Sequence, residues 1–389
     1  MKRGRIGIRF LSALVILMPL LFSCNMRRSN ILTEITQIDT VSLSQRDTVT
    51  LLIMGDIMQH ITQLKSALKK GEDPELPQSY DYSFYFTHIG EHIQQSDYSI
   101  ANMEFTAGVT PYSGYPQFSS PESLAEEAAK VGIDLFLCAN NHICDKGKRG
   151  IESTIEVYNN LEIPFTGIYE NAEDETISNP FIAQVRDIRI AFINFTYDTN
   201  GLPIPEPYKV NLLDSLHVKE VIMRAKQDRV DFIIALPHWG NEYELTPSAQ
   251  QKEWQSMLYR EGVNIIVGSH PHVPQPLDIE RDPINITRLT LFSTGNLISN
   301  MDRENTQIGI MLRLKLSLDK GSGEKEIVSA EPIYTWCARA GKFINSFTVI
   351  PIEEYLHRED EFLSAQEYEK MKREYEKLTT YNIYDIEKD

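Results

Sequence analysis

The chain has 389 residues, 42% of them hydrophobic, and a formal net charge of −17. That is enough apolar material for a large core in one large domain or two. The acidity excludes nucleic acid as a main partner, because phosphate would be repelled, but leaves open an acidic polymer held through metal ions.

The first residues read as a targeting segment. Lys2, Arg3, Arg5 and Arg9 form a basic start, and the apolar run over residues 10–22 is short for a membrane span. It closes on Leu21-Phe22-Ser23-Cys24, which resembles a bacterial lipoprotein cleavage box. Residues 1–23 are therefore expected to be a signal peptide and Cys24 the lipidated first residue of the mature protein. An uncleaved anchor is the alternative, and either places the domain outside the cytoplasmic membrane. Three further cysteines, Cys138, Cys144 and Cys337, are an odd number and define no complete disulfide framework. Residues 24–47 are polar and aperiodic, and read as a tether.

The folded part is expected to open with a strand over residues 49–55 that runs into Asp56. An acid directly after a strand-ending glycine also serves as a helix cap, so this signal alone is weak. The pattern of an apolar run followed by a polar cluster then recurs. Residues 97–104 (DYSIANME) deliver Asn102 and Glu104, and residues 134–142 (DLFLCANNH) deliver Asn140, Asn141 and His142. Asp145 and a glycine-bearing turn follow, and a helix is predicted over residues 151–160.

A strand is predicted over residues 189–196 and an amphipathic helix over 211–227. The buried run over 231–236 is expected to break at Pro237 and lead into His238, Trp239 and Glu242. Residues 246–262 carry the strongest helix signal, with Thr246 as cap, Pro247 in the first turn and Gly262 as stop. This helix feeds the run VNIIVGSHPHVPQ (residues 263–275), a buried strand closed by Gly268. If extended geometry continues past the glycine, His270 and His272 point to one side.

Strands alternating with helices define an α/β protein on a layered sheet. The last third changes character. Residues 286–298, 308–318 and 327–334 are strand-rich without helices between them, which points to antiparallel pairing. Ser293 to Asn296 interrupt the first of these runs and are placed to approach the site. Residues 362–378 form a charged helix with a solvated face. The C-terminal strands are expected to pack on the α/β domain, the rival being a separate domain after Leu318.

In an α/β sheet, residues just beyond strand ends gather along one edge. Asp56, Glu104, Asn141, His142, His238, His270 and His272 all hold such positions. Two carboxylates, a carboxamide and several imidazoles suit a borderline divalent ion such as Zn, Mn or Fe better than Ca or Mg. Such an ion acidifies a coordinated water, and a histidine left off it can protonate a leaving group.

The segments MGDIM (54–58), ANME (101–104), ANNHICDKGKRGI (139–151), HWGNEY (238–243) and GSHPHVPQP (268–276) resemble, in order, the motif series of the bacterial CapA capsule-synthesis family. That family is also called the poly-γ-glutamate synthesis type and is similar to the calcineurin-like metallophosphoesterases. The resemblance implies a four-layer α/β/β/α sandwich over residues 48–350, with a charged helical tail over 351–389. It implies one or two transition ions (Mn, Fe or Zn). Asp56 and Glu104 take the place of the first and bridging aspartates. Asn141, His238 and His270 are implied as ligands of one metal, His272 as a ligand of the other and His142 as the acid. Asn102, Asn140, Asp145 and Glu242 are expected to contact substrate. Met58 stands where the phosphoesterases carry a histidine, and Glu104 lengthens the bridge by a methylene.

The expected role is extracytoplasmic, at the periplasmic face or cell surface, in capsule or exopolymer biosynthesis. The expected partners are the anionic envelope or capsule polymer, the membrane through the lipid anchor, and polymer synthase or export subunits. The chemistry is hydrolysis of a phosphoester or γ-glutamyl amide, or transfer; the alternative is a non-catalytic polymer-binding, assembly or export component.

Overall fold

The computed structural model describes residues 46–283, 285–341, 344–358 and 363–380. The expected leader, Cys24 and nearly all of the tether lie outside these residues, as does the end of the tail. The first strand begins at Arg46. Among the described residues, no helix is long and apolar enough to cross a membrane.

Strict alternation of buried residues builds the layers. In the Arg46–Ile57 strand, Val49, Leu51 and Ile53 enter one apolar cluster, whereas Leu52, Met54 and Ile57 enter a second. The Ile188–Thr196 strand divides in the same way, with Ile188, Ile190 and Phe192 in the first cluster and Ala191, Ile193 and Phe195 in a third. A period of two thus gives each strand two buried faces. The shared cluster is the interior where two half-sheets meet, and Tyr98 stacks on Phe192 across it at 5.7 Å. Helix Gly147–Asn160 covers the outer face of one half, and helices Ser215–Gln227 and Ala249–Arg260 cover the other. The result is the α/β/β/α sandwich expected from the sequence.

Hydrogen bonding nevertheless runs unbroken from one half to the other. The Arg46–Ile57 strand pairs antiparallel with Ile308–Asp319, which pairs antiparallel with Lys325–Ala338. The latter touches Ile286–Leu291 through the single pair Ile327 and Ile286. The sheet folds back at this narrow joint. The C-terminal strands thus pack on the α/β core from within it, joining its halves. Helix Ala365–Thr380 buries Tyr368, Met371 and Leu378 in the central cluster, so only part of its charged surface is solvated.

Three local expectations are corrected. The strand at 231–236 does not break at Pro237: it runs Phe232–His238, with Pro237 opposite Phe195. The long helix starts at Ala249 rather than near Thr246, because Ser248 and Gln251 form a reciprocal capping box that satisfies the first free N–H groups. The backbone also does not stay extended past Gly268: His270 and His272 have φ of 96° and 60°.

Gly268 itself is required by packing. A Cβ there would lie 2.2 Å from the Phe292 carbonyl oxygen and 2.3 Å from the Trp239 ring nitrogen. Gly55, just before Asp56, is pressed as closely against Gly295.

Candidate metal centre

The parallel strands of both halves end along one edge, and their trailing residues meet there. Asp56 is the penultimate residue of the Arg46–Ile57 strand, Glu104 follows Tyr98–Met103, and Asn141 follows Leu135–Leu137. From the other half, His238 ends Phe232–His238, and His270 and His272 follow Ile265–Val267. All six are buried.

Their donor atoms fall into two groups that share a member. Glu104, His238 and His270 form one; Asp56, Glu104 and His272 form the other; in each, the atoms lie within 4.8 Å of one another. Glu104 Oε1 is 3.5 Å from His238 Nε2 and 3.9 Å from His272 Nε2. Both Glu104 oxygens and His270 Nδ1 are buried without a hydrogen-bond partner. Leaving a carboxylate so placed is costly, and a cation between the imidazoles and the carboxylates would satisfy all these atoms. The donor set therefore fits a divalent ion.

Neighbouring groups orient the donors. Asn102 Nδ2 donates to Asp56 Oδ1 at 2.7 Å. Asn140 Nδ2 donates to the Met103 carbonyl at 2.9 Å, and Asn140 Oδ1 accepts from the His142 amide at 3.2 Å. Asn141 Oδ1 lies 2.7 Å from His238 Nε2, and His238 Nδ1 lies 2.9 Å from Ser269 Oγ. Thus Asn102 and Asn140 latch the centre rather than face outward. His142 Nδ1 is 2.7 Å from Asp145 Oδ2, which also accepts from the Phe118 amide. Asp145 is buried by this pairing, whereas Glu242 is exposed at the rim.

The field follows from these contacts. Burial works to raise the Asp56 carboxyl, but the His272 and His238 rings and the Asn102 amide hold it below the usual carboxylate range. Burial and the charge on neighbouring histidines push His270 well below its ordinary value. Burial also works against a charge on His272, yet the Glu104 and Asp56 carboxylates outweigh it and push the ring up to about 9.

Met58 is buried in the apolar layer and supplies no ligand. His60 does not replace it. Its Nδ1 is engaged by Gln63 at 3.1 Å and the Asn300 amide at 3.3 Å, and burial depresses it to about 4.

Two further residues support the centre. Asn194 lies inside the apolar run RIAFINFT, where a lone amide is the only cue. Its Oδ1 accepts from Ala139 N at 2.7 Å and its Nδ2 donates to Leu236 O at 2.8 Å, tying the two halves together beneath the site. Asn296, from the interruption after residue 292, reaches His272 Nδ1 at 3.0 Å.

Fold and site together define an α/β/β/α sandwich protein with a candidate metal centre at the strand ends of both halves. The model of the family described as bacterial capsule synthesis protein PGA_cap matches residues 50–301, and the chain belongs to that family. It is 24% identical over 297 residues to a capsule biosynthesis protein CapA of Bacillus anthracis, covering 73% of this chain and 67% of that protein. It is 26% identical over 292 residues to a PGA biosynthesis protein CapA of Bacillus subtilis (strain 168), covering 72% of this chain and 71% of that one. Among solved structures it is similar to a Haemophilus influenzae NAD nucleotidase at 12% identity, covering 85% of this chain and 62% of that one, with a TM-score of 0.46. It is also similar to the calcineurin-like phosphoesterase YfkN of Bacillus subtilis at 13% identity, covering 86% and 99%, with a TM-score of 0.43.

Proposed function

We propose that this protein is an extracytoplasmic lipoprotein of capsule or exopolymer biosynthesis, of the poly-γ-glutamate type. In this reading it is a metal-dependent hydrolase or transferase acting on an anionic envelope polymer. One observation carries the chemistry: Glu104 is common to two donor groups and has no hydrogen-bond partner of its own. Asp56, Glu104, Asn141, His238, His270 and His272 would hold one or two ions of Mn, Fe or Zn. A bound ion of this kind supplies a Lewis acid and an acidified water.

The chain's own residues do the remaining work. Asn102 and Asn140 fix the carboxylate side of the centre, and Ser269 fixes His238. Asp145 holds His142 by Nδ1, which sets the other ring nitrogen as the proton carrier toward a leaving group. Support for the polymer comes from family membership and from the names of the two Bacillus relatives.

The second reading is a non-catalytic component that grips or delivers the polymer, together with synthase or export subunits. Met58 favours it, because a buried thioether stands where the phosphoesterases place a histidine ligand. His142→Ala separates the two. Under the enzymatic reading it abolishes turnover of polymer or model phosphoesters while metal content and polymer binding survive. Unchanged hydrolysis and polymer production would leave the binding role. For the anchor, Cys24→Ala should release the protein from membranes; retention there would sink the lipoprotein assignment.

A further inference from the structure

The mouth of the centre carries a cation that neither donor group uses. Arg303 is exposed, and its guanidinium carbon lies 4.1 Å from the centroid of the Tyr243 ring. The Tyr243 ring in turn lies 6.2 Å from that of His272. Guanidinium, phenol and imidazole thus form a column from the surface down to the donor groups. Among the described residues, no carboxylate lies within ion-pair distance of Arg303.

The column is built on fixed backbone. The Arg303 carbonyl accepts from Thr306 Oγ1 at 2.7 Å, and the Thr306 carbonyl accepts from Asn296 Nδ2 at 3.0 Å. Asn305 N donates to the buried Glu374 of the last helix at 3.2 Å. The Tyr243 amide donates to the Pro271 carbonyl at 2.8 Å, between the two ligand histidines. Tyr243 is therefore tied to the loop that carries His270 and His272, and the Arg303 backbone is tied through Thr306 to Asn296, which braces His272.

A guanidinium lying over a ring keeps its N–H edges free for a planar oxyanion, which it recognises in a bidentate manner. The surroundings make this cation matter. Glu242 stands exposed beside Tyr243, the interior holds Asp56 and Glu104, and the whole chain is acidic. A polyanion approaching this mouth is repelled by those groups and drawn by Arg303.

We propose that Arg303, seated on Tyr243, is a substrate-binding residue that takes a carboxylate of the polymer unit next to the one held at the centre. The inference rests on the polymer reading given above and adds the residue that selects for a charged chain.

The test is calorimetric binding to the full-length, manganese-loaded protein. The probes are a short γ-linked glutamate oligomer and the same oligomer with its α-carboxyls amidated. The wild type should prefer the charged oligomer by about tenfold or more, as charge-assisted pairing implies. Arg303→Gln should remove most of that preference and leave binding of the amidated oligomer unchanged. Arg303→Lys, which keeps charge but not the planar fork, should retain only part. Unaltered manganese stoichiometry and thermal midpoint show that each variant is folded. Equal binding of the charged oligomer by Arg303→Gln and wild type overturns the proposal. If the wild type ignores both oligomers but binds inorganic polyphosphate, and Arg303→Gln loses it, the oxyanion site stands and the γ-glutamate polymer reading falls.

Discussion

The carboxamide oxygen of Asn296 lies 3.0 Å from Nδ1 of His272, while the amide nitrogen of Asn296 donates to the carbonyls of Thr306 and His272. With its N–H groups engaged, the amide can only accept at Oδ1. His272 Nδ1 therefore carries hydrogen, and Nε2 is the atom left for the centre. Asn296→Ala should lower metal affinity about 10- to 100-fold, the usual effect of losing a partner behind a histidine ligand. Titration of metal into the purified variant checks this, and an unchanged affinity would refute the orienting role.

Glu104→Gln tests the centre from the opposite direction. In the wild type, saturating metal at a hundred times its dissociation constant adds about 2.7 kcal/mol to stability. The variant should lose that metal-dependent rise in thermal midpoint. Without metal it should be no more stable than metal-free wild type below about pH 9, because Glu104 is the foremost group that holds the charge on His272 there. Thermal scans with and without manganese decide both points.

The pH dependence follows from His272. Its pKa is raised in the folded chain from 6.5 to about 9. The stabilisation that its charge gives the metal-free protein is complete below pH 6.5 and is lost as pH climbs through about 9. A metal ion competes with the Nε2 proton, so apparent metal affinity should climb as pH rises toward about 9 and level off above it. His272→Gln should flatten the climb, as seen by titrations across the same range.

Gly268→Ala forces a methyl group against backbone and ring atoms that cannot withdraw, since Trp239 Nε1 donates to Phe292 O at 2.9 Å in the same spot. A loss of about 3 kcal/mol is expected, the upper end for overpacking. Chemical denaturation measures it, and metal stoichiometry should fall as the following loop shifts.

Much of the centre was legible because a buried strand announces itself by composition and its end by the first polar residue. Asp56, Glu104, Asn141, His238, His270 and His272 all stand at such ends. Less legible was how the ends are turned. The idea that His270 and His272 share a side by extended spacing is incorrect; two left-handed residues in the loop bring both rings inward. Pro237 looked like a breaker, yet its lack of an N–H is tolerated in this strand. Thr246 and Ser248 are both sound caps by residue type, and only the reciprocal bond to Gln251 distinguishes them. The interruption at residues 293–296 marked Asn296 as near the site, but its bond to His272, like those of Asn194 to Ala139 and Leu236, joins atoms far apart in sequence, which no local pattern records.

Each donor group draws from both halves of the folded-back sheet, Glu104 and Asp56 from one and the histidines from the other. Neither half alone offers a complete donor group, so a tight site exists only after the halves have closed. Any loading with a metal ion would thus follow the closing of the halves. An ion that enters is drawn from whatever pool surrounds the protein at that moment. The identity of the metal is then as much a property of the compartment where the chain folds as of the residues that bind it.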